Sequence, residues 1–262
     1  MIQSLVKGLA VLSLFDKVHP EWTLDEIAEA VGVPRMTAYR LAKTMEGVGY
    51  LVSDHGNRYH LGPAVLASTC ACVDRYADLV EVARPYLEEL AAVTQETVTF
   101  AMEIDGVPVE VDEILTSRPF ARPHAIGRIF GHTNTAHGKV FMASKSPAER
   151  QEIQFEVSTA HSIADKQALS AELERVARDG IAYNCEERDI GICAVAAPVR
   201  DQAGRVVASI AVLAPPGRFR PIIDREGFGT AVKLTADELS AFLGYFAPER
   251  MDWDAMARDQ KS

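Results

Sequence analysis

The sequence predicts an α+β protein with two parts, an N-terminal winged helix-turn-helix and a C-terminal antiparallel sheet with flanking helices. Residues 1–62 show three helical patterns followed by two short strands. Beyond them, a hairpin pattern surrounds the turn Asp105-Gly106, and later strands alternate with helices. The chain has 262 residues, of which 48% are hydrophobic, so that two modest domains can each bury a core.

The N-terminal part carries clear start and stop signals for its helices. Thr23 and Glu26 have the spacing of a capping box at the start of the second helix. Gly32 suits the left-handed position that ends it, and Pro34 suits the first turn of the third helix. Two strands then flank the turn 54–57. We predict these elements at residues 3–16, 24–31, 34–48, 50–53 and 58–61.

The remaining sequence predicts a linker helix and then a larger α+β domain. Helices are expected at 64–76, 77–95, from 135, from 146, at 165–179 and at 226–246. Strands are expected at 97–104, 107–114, 181–185, 193–201 and 205–214. We divide the chain into a winged helix-turn-helix domain (1–62), a linker helix (63–76), a larger C-terminal domain (77–250) and a tail (251–262).

Charge and composition narrow the class of protein. The net charge is −10, which divides into −1 for residues 1–62 (six Lys/Arg, seven Asp/Glu) and −9 for the rest (21 and 30). No apolar run approaches the ~20 residues of a membrane helix, so we expect a cytoplasmic protein that does not bind a membrane. In a reducing cytosol the four cysteines are expected to be free thiols: Cys70, Cys72, Cys185 and Cys193.

The third predicted helix has the pattern of a DNA-recognition helix. Ala38, Leu41, Ala42 and Met45 form its inner face, and Arg35–Lys43 holds three cations and no carboxylate. A solvated face on an ordinary helix cluster is the alternative, but the tight turn before the helix and the hairpin after it favour DNA. The predicted DNA contacts are Arg35, Met36, Thr37, Tyr39, Arg40 and Lys43, with Arg58 and Tyr59 on the wing.

Nearly the whole chain resembles the IclR family of transcriptional regulators. The segments that carry the resemblance are LAVLSLF, TLDEIAEAVGVPRMTAYRLAKTMEGVGYLV, RYHLGPAVLAS, GRIFGHTNTAHGKVFMAS, GIAYNCEERDIGICAVAAPVRDQAGRVVASIAV and Arg218-Phe219. The resemblance implies a GAF- or profilin-like ligand-binding domain, control of a catabolic operon by a small acid, and assembly into dimers or tetramers. Arg35-Met36 stands where the family commonly has Lys-Ser, which implies a different operator sequence.

A ligand site is expected where a polar loop meets the helix that starts after Thr135. Free N–H groups at a helix N-terminus favour a carboxylate, although Thr135 can be only the helix cap. The resemblance favours the ligand and places Asp189, Cys193 and Ser209 on the far wall, while Ser209 can also be a core hydroxyl. The expected effector contacts are His132, Thr133, Asn134, Thr135, Ala136, Asp189, Cys193 and Ser209.

The resemblance also has departures in this region. Gly131-His132-Thr133-Asn134 stands where the family usually has Pro and apolar residues, and Asn184-Cys185 replaces an acidic pair. Cys193 lies one residue before the family's usual Cys, with Ala194 in its place. These departures concern the identity of the bound acid and not the existence of a pocket.

Other functions find less support in the sequence. Gly131–Lys139 has six residues between its glycines and Val140 after the lysine, so it does not match a phosphate-binding loop. The spacing of His124, His132 and His137 matches no common zinc pattern. We expect no cofactor, no metal and no enzymatic activity. The partners expected are operator DNA, a small organic-acid effector and further copies of the chain; the alternatives are a metabolite-sensing protein-interaction module and a small-molecule enzyme.

Overall fold

The computed structural model describes residues 2–15, 19–54, 58–119, 124–152, 154–219 and 227–245. The chain divides between Leu79 and Val80 into two compact units. The helices are α1 Gln3–Leu12, α2 Leu24–Val31, α3 Arg35–Gly47, α4 Pro63–Thr94, α5 Ala136–Ser144, α6 Pro147–Glu152, α7 Lys166–Asp179 and α8 Phe228–Phe242. The strands are β1 Trp22–Thr23, β2 Leu51–Ser53, β3 Arg58–Leu61, β4 Thr97–Ile104, β5 Val107–Ile114, β6 Ala182–Cys185, β7 Cys193–Arg200 and β8 Val206–Ala214.

The N-terminal unit packs three helices against a small antiparallel sheet of order β1-β3-β2. The predicted capping box is present, since the Thr23 side chain accepts from the Glu26 N–H and the Glu26 carboxylate accepts from the Thr23 N–H. Gly32 ends α2 in the left-handed conformation, with φ of 67°. The buried core of this unit consists of Val11, Ile27, Val33, Ala38, Ala42, Leu51 and Tyr59. Strand β1 was not predicted, and residues 55–57 of the predicted wing turn lie outside the described residues.

The second unit is built on a five-stranded antiparallel sheet of order β5-β4-β8-β7-β6. The β4–β5 hairpin has the predicted bounds, and its turn residues Asp105 and Gly106 both have positive φ. In β7, alternate residues point to opposite faces of the sheet. Ala194 and Ala196 pack against α5, while α8 lies against β7 and β8. The N-terminal unit with its three-stranded sheet and this sheet with flanking helices confirm the predicted α+β class.

Helix α4 differs from the prediction of two consecutive helices at 64–76 and 77–95. It is one helix of 32 residues that contains Pro85. The point at which the two units divide therefore lies inside a continuous helix. No helix among the described residues is long and apolar enough to cross a membrane.

Cys185 and Cys193 form a disulfide, so the prediction of free thiols is wrong for this pair. They are direct partners on β6 and β7, with Cα atoms 4.2 Å apart. Side chains of directly paired residues project from the same face, which brings the two sulfur atoms together. The side chains of Cys70 and Cys72 lie outside the described part of the chain.

Candidate functional site

The exposed face of α3 presents most of the residues expected to contact DNA. Ala38 and Ala42 are completely buried and hold the helix on its core. On the other side Arg35, Arg40 and Lys43 are exposed, and Thr37 is half-buried. Met36 and Tyr39 are also exposed, Met36 to 66%. The helix therefore presents a basic and partly apolar surface to solvent.

The three cations of α3 differ in their partners. Arg35 pairs with Asp25 of α2, and Lys43 pairs with Glu46 one turn further along α3. The hydrogen bond to Glu46 raises the pKa of Lys43. Within the described residues Arg40 has no acidic partner and no side-chain hydrogen bond. Its guanidinium keeps all five donors available to an acceptor outside the chain.

The two residues predicted on the wing occupy different environments. Arg58 is partly exposed and pairs with Glu21 at 3.1 Å. The Tyr59 residue is only 5% exposed and packs in the core of the N-terminal unit, and burial raises the pKa of its hydroxyl. Residues at even and odd positions of β3 face opposite sides, and Tyr59 faces inward. A surface contact of the Tyr59 ring with DNA does not fit this placement.

The loop before α5 is held by hydrogen bonds from its own polar residues. The Thr135 hydroxyl accepts from the Gly138 N–H at 2.9 Å, which caps α5, and donates to the Gly131 carbonyl at 2.8 Å. The Thr133 hydroxyl accepts from the Glu156 N–H at 3.0 Å. Glycine is required at 138, because a Cβ there would lie 2.2 Å from the Gly131 carbonyl oxygen.

A cavity of about 60 Å³ lies at the N-terminus of α5. Its wall combines strand residues of the sheet, the first turn of α5 and two loops. The residues that line it are Thr99, Glu110, Arg128, Phe130, Thr135, Ala136, His137, Asn184, Arg188, Asp189, Ile192, Ala194 and Leu213. We call this space the inner cavity.

A wider groove of about 610 Å³ lies on the surface of the same unit. It shares Phe130 and Arg188 with the inner cavity and is otherwise lined by loop residues. Those residues are Ile129, Gly131, Asn134, Phe155, Glu156, Val157 and Ser158. We call this space the outer groove.

Three of the residues expected to contact an effector line the inner cavity: Thr135, Ala136 and Asp189. Asn134 lines the outer groove, and its side chain donates to the Ser158 hydroxyl at 2.8 Å. Thr133 lines a different cavity, between α5, α6 and α7. His132 bonds to Glu103 at 3.0 Å and lines neither the inner cavity nor the outer groove.

The structure places Cys193 and Ser209 away from the inner cavity. Cys193 points to the opposite face of β7 from Ala194, and it is Ala194 that lines the cavity. Ser209 is completely buried, and its hydroxyl donates to the Ala197 carbonyl at 3.2 Å. This agrees with the alternative prediction that Ser209 is a core hydroxyl. Ligand contacts for these two side chains do not fit their positions.

The histidines considered as metal ligands bind three separate partners. His124 contacts Glu113 at 2.6 Å, and His137 contacts the Thr99 hydroxyl at 2.8 Å. His132 contacts Glu103, as described above. In the described ranges no three His, Cys, Asp or Glu side chains come together as a metal site.

Lys139, the lysine of the rejected phosphate-loop pattern, lies in the interior. It is 1% exposed, donates to the Tyr183 carbonyl at 2.9 Å and pairs with Glu187 at 2.6 Å. Burial raises the pKa of Glu187, against the opposing effect of Lys139. The pair connects α5 to β6 and to the loop that follows β6.

Sequence reasoning missed several residues of the inner cavity. Strand alternation could have identified Thr99. Its direct partner on β8 is Ala211, which packs on the side of the sheet that α5 covers. Arg128 and Arg188 lie in segments already singled out for their resemblance, but no local pattern distinguishes them from surface arginines. Only the folded structure brings the loop of Arg128 and the loop of Arg188 to one cavity.

Comparison with known proteins agrees with this architecture. The model of the IclR helix-turn-helix domain matches residues 4–55, and that of the bacterial transcriptional regulator IclR C-terminal domain matches residues 71–241. The chain is 35% identical over 226 residues to the HTH-type transcriptional regulator Rv1719 of Mycobacterium tuberculosis, covering 83% of this chain and 84% of that protein.

Solved structures show the same fold. A transcriptional regulator from Rhodococcus sp. RHA1 aligns with a TM-score of 0.74 and 27% identity, covering 93% of this chain and 98% of that one. An IclR homolog from Microbacterium hydrocarbonoxydans, solved in complex with 4-hydroxybenzoate, aligns with a TM-score of 0.75 and 18% identity over 92% and 98% of the two chains. The chain therefore belongs to the IclR family of DNA-binding transcriptional regulators.

Proposed function

We propose that this protein regulates a catabolic operon by binding a palindromic operator as a homodimer or homotetramer, and that a small organic acid bound in its second unit controls that binding. The regulator acts in the cytoplasm, where its operator lies, and this role requires neither turnover nor a cofactor. The two-fold symmetry of such an assembly matches two recognition helices to two half-sites.

The outward face of α3 is the observation that carries the DNA-binding part of the proposal. A major groove admits one helix, whose first turns reach the base edges. Arg40 has its donors free within the described chain, and Arg35 and Thr37 lie on the first turn. Lys43 and Arg58 are partly exposed and suit contacts with phosphates. Met36 and Tyr39 supply apolar contact area.

The N-terminus of α5 supports the effector part of the proposal. The first N–H groups of a helix have no partner within the helix, and the helix dipole favours an anion there. Thr135 already satisfies the Gly138 N–H, while Ala136 and His137 line the inner cavity. The 4-hydroxybenzoate complex of the Microbacterium homolog suggests a carboxylic acid as the first kind of ligand to test.

A gel-shift titration with DNA from the gene's own upstream region tests the proposal. We expect binding that weakens steeply between 50 mM and 200 mM salt, because each neutralised phosphate releases a counterion. An organic acid that raises the melting temperature of the protein should also change the DNA affinity. Failure of the full-length protein to shift its own promoter under any salt condition would refute the DNA-binding part and favour a protein-interaction module.

A further inference from the structure

Two arginines, Arg128 and Arg188, meet where the inner cavity and the outer groove adjoin. Both line the inner cavity, and Arg188 also lines the outer groove. Arg128 lies in the loop that precedes α5, and Arg188 lies in the loop between β6 and β7. Their side chains are 35% and 23% exposed. The site therefore holds two partly buried cations from separate segments of the chain.

These two guanidinium groups lack close acceptors in the described part of the protein. Neither side chain donates a hydrogen bond there, and both face the same oxygen, Oδ2 of Asp189. That oxygen is 3.8 Å from Arg128 Nη2 and 3.8 Å from Arg188 Nε, beyond hydrogen-bonding distance. Each guanidinium has five N–H donors in a planar fork that matches a carboxylate. Both arginines line the inner cavity, and neither guanidinium donates a hydrogen bond to a described residue.

The site brings charges of both signs together. Arg128, Arg188, Asp189 and the buried Glu110 line the inner cavity, and Glu156 lines the outer groove. Burial lowers the pKa of Arg188, and the positive charge of Arg128 lowers it further. The carboxylates of Asp189, Glu156 and Glu110 act in the opposite direction but do not reverse the shift. A carboxylate placed between the two guanidinium groups would offset their mutual repulsion and accept the hydrogen bonds that Asp189 is too distant to accept.

The two spaces differ in what they can hold. The outer groove measures about 610 Å³, and the inner cavity about 60 Å³. An aromatic ring needs more, since an apolar cavity of about 150 Å³ is the size that binds benzene. The inner cavity is therefore too small for a ring, and the ring of an aromatic acid has to lie in the outer groove.

We propose that Arg128 and Arg188 together bind the carboxylate of the effector, and that any ring or longer chain of the effector lies in the outer groove. The ligand class is a carboxylic acid read through its charge and planar geometry. This proposal rests on the effector function proposed above, and it adds the two residues that recognise the acid group.

Calorimetric titration of the full-length protein tests the assignment without DNA. The probes are acetate, pyruvate, succinate, benzoate and 4-hydroxybenzoate, each paired with its neutral amide. We expect at least one acid to bind and its amide to bind at least 10-fold more weakly. The substitutions Arg188→Gln and Arg128→Gln should each weaken the binding of that acid by about 10- to 100-fold, which is the range for the loss of a hydrogen bond to a charged group. Arg178→Gln, at an exposed position of α7, should leave the affinity unchanged.

Several results would overturn the assignment. The first is that an acid and its amide bind with equal affinity. The second is that Arg188→Gln binds the acid with an affinity within two-fold of the wild type. The third is that none of the acids binds to the folded wild-type protein. Arg188→Lys separates charge from geometry, because it keeps the cation and loses the fork; we expect an affinity between those of wild type and Arg188→Gln. Circular dichroism verifies that each variant is folded. The titration contains no DNA, so its result can be interpreted even if the protein fails to shift its promoter.

Discussion

Cys185 and Cys193 are directly opposite each other on β6 and β7, and their disulfide closes the loop that carries Arg188 and Asp189. The two cysteines are eight residues apart in sequence. Their side chains project from the sheet face opposite to that of Asn184 and Ala194, which line the inner cavity. The bridge thus fixes the two ends of the loop without contributing a sulfur atom to the cavity wall.

Reduction of this disulfide is expected to destabilise the second unit. Closing a loop of this length by a covalent bond is worth about 2–3 kcal/mol in the unfolded-chain entropy model. A loss of that size lowers the melting temperature by about 5–10 °C for a domain of this size. Thermal melts with and without dithiothreitol measure the effect, and the double variant C185S/C193S should melt at one temperature in both. Iodoacetamide reacts only with free thiols. If it labels both Cys185 and Cys193 in air-oxidised protein that has been denatured but not reduced, the disulfide is absent and the prediction fails.

Arg40→Ala is expected to weaken specific operator binding by about 1–3 kcal/mol if Arg40 reads a base. The reason is that Arg40 is the cation of α3 with no partner among the described residues, so its donors are available to DNA. Fluorescence anisotropy with operator DNA at fixed salt gives the affinities. Arg178→Ala, in the other unit, serves as the charge-matched control. Equal affinities for Arg40→Ala and the control would remove Arg40 from the interface.

Gly138→Ala is expected to destabilise the loop before α5. The added methyl group would lie 2.2 Å from the Gly131 carbonyl oxygen and 2.6 Å from the His132 Cα. These are backbone atoms that cannot rotate away, so we expect a loss of about 1–3 kcal/mol in the free energy of unfolding. Gly47→Ala in α3 meets no atom within 4 Å and should instead give a gain of up to about 1 kcal/mol. Urea unfolding followed by circular dichroism compares the two; an unchanged Gly138→Ala midpoint would show that the loop shifts freely.

Protonation of Glu103 is expected to lower the stability of the second unit in acid. Burial alone would raise the pKa of Glu103, but the hydrogen bonds from His132 and Lys145 outweigh it and hold the pKa below its usual value of 4.5. Because the folded pKa is the lower one, this stabilisation is complete above pH 4.5 and is lost as the pH falls below it. Glu103→Gln should flatten the decrease in melting temperature between pH 5 and pH 3. A decrease as steep as in the wild type would assign the acid sensitivity to other carboxylates.

Local sequence signals predicted the individual elements well. The Thr23–Glu26 capping box, the left-handed Gly32 and the Asp105-Gly106 turn each depend on residues close in sequence, and all three are present. The short strand β1 escaped prediction because it exists only through pairing with β3. Two residues are too few to show a periodic pattern.

The site was harder to predict because it depends on strand faces and on distant loops. A shift of one residue along a strand moves a side chain to the other face, which is why Ala194 lines the cavity and Cys193 does not. The expected contact of Tyr59 with DNA overlooks strand alternation, which turns this side chain into the core. Arg128 and Arg188 are 60 positions apart, and nothing in their local sequence indicates that they meet.

The outer groove is lined largely by loop residues such as Ile129 and Val157, both of which are well exposed. Substitutions at exposed loop positions usually change stability little. Under the proposed placement of the effector in this groove, replacing these side chains would change effector preference, both during evolution and in a laboratory biosensor. The sheet and α5, which hold the fold together, would stay as they are.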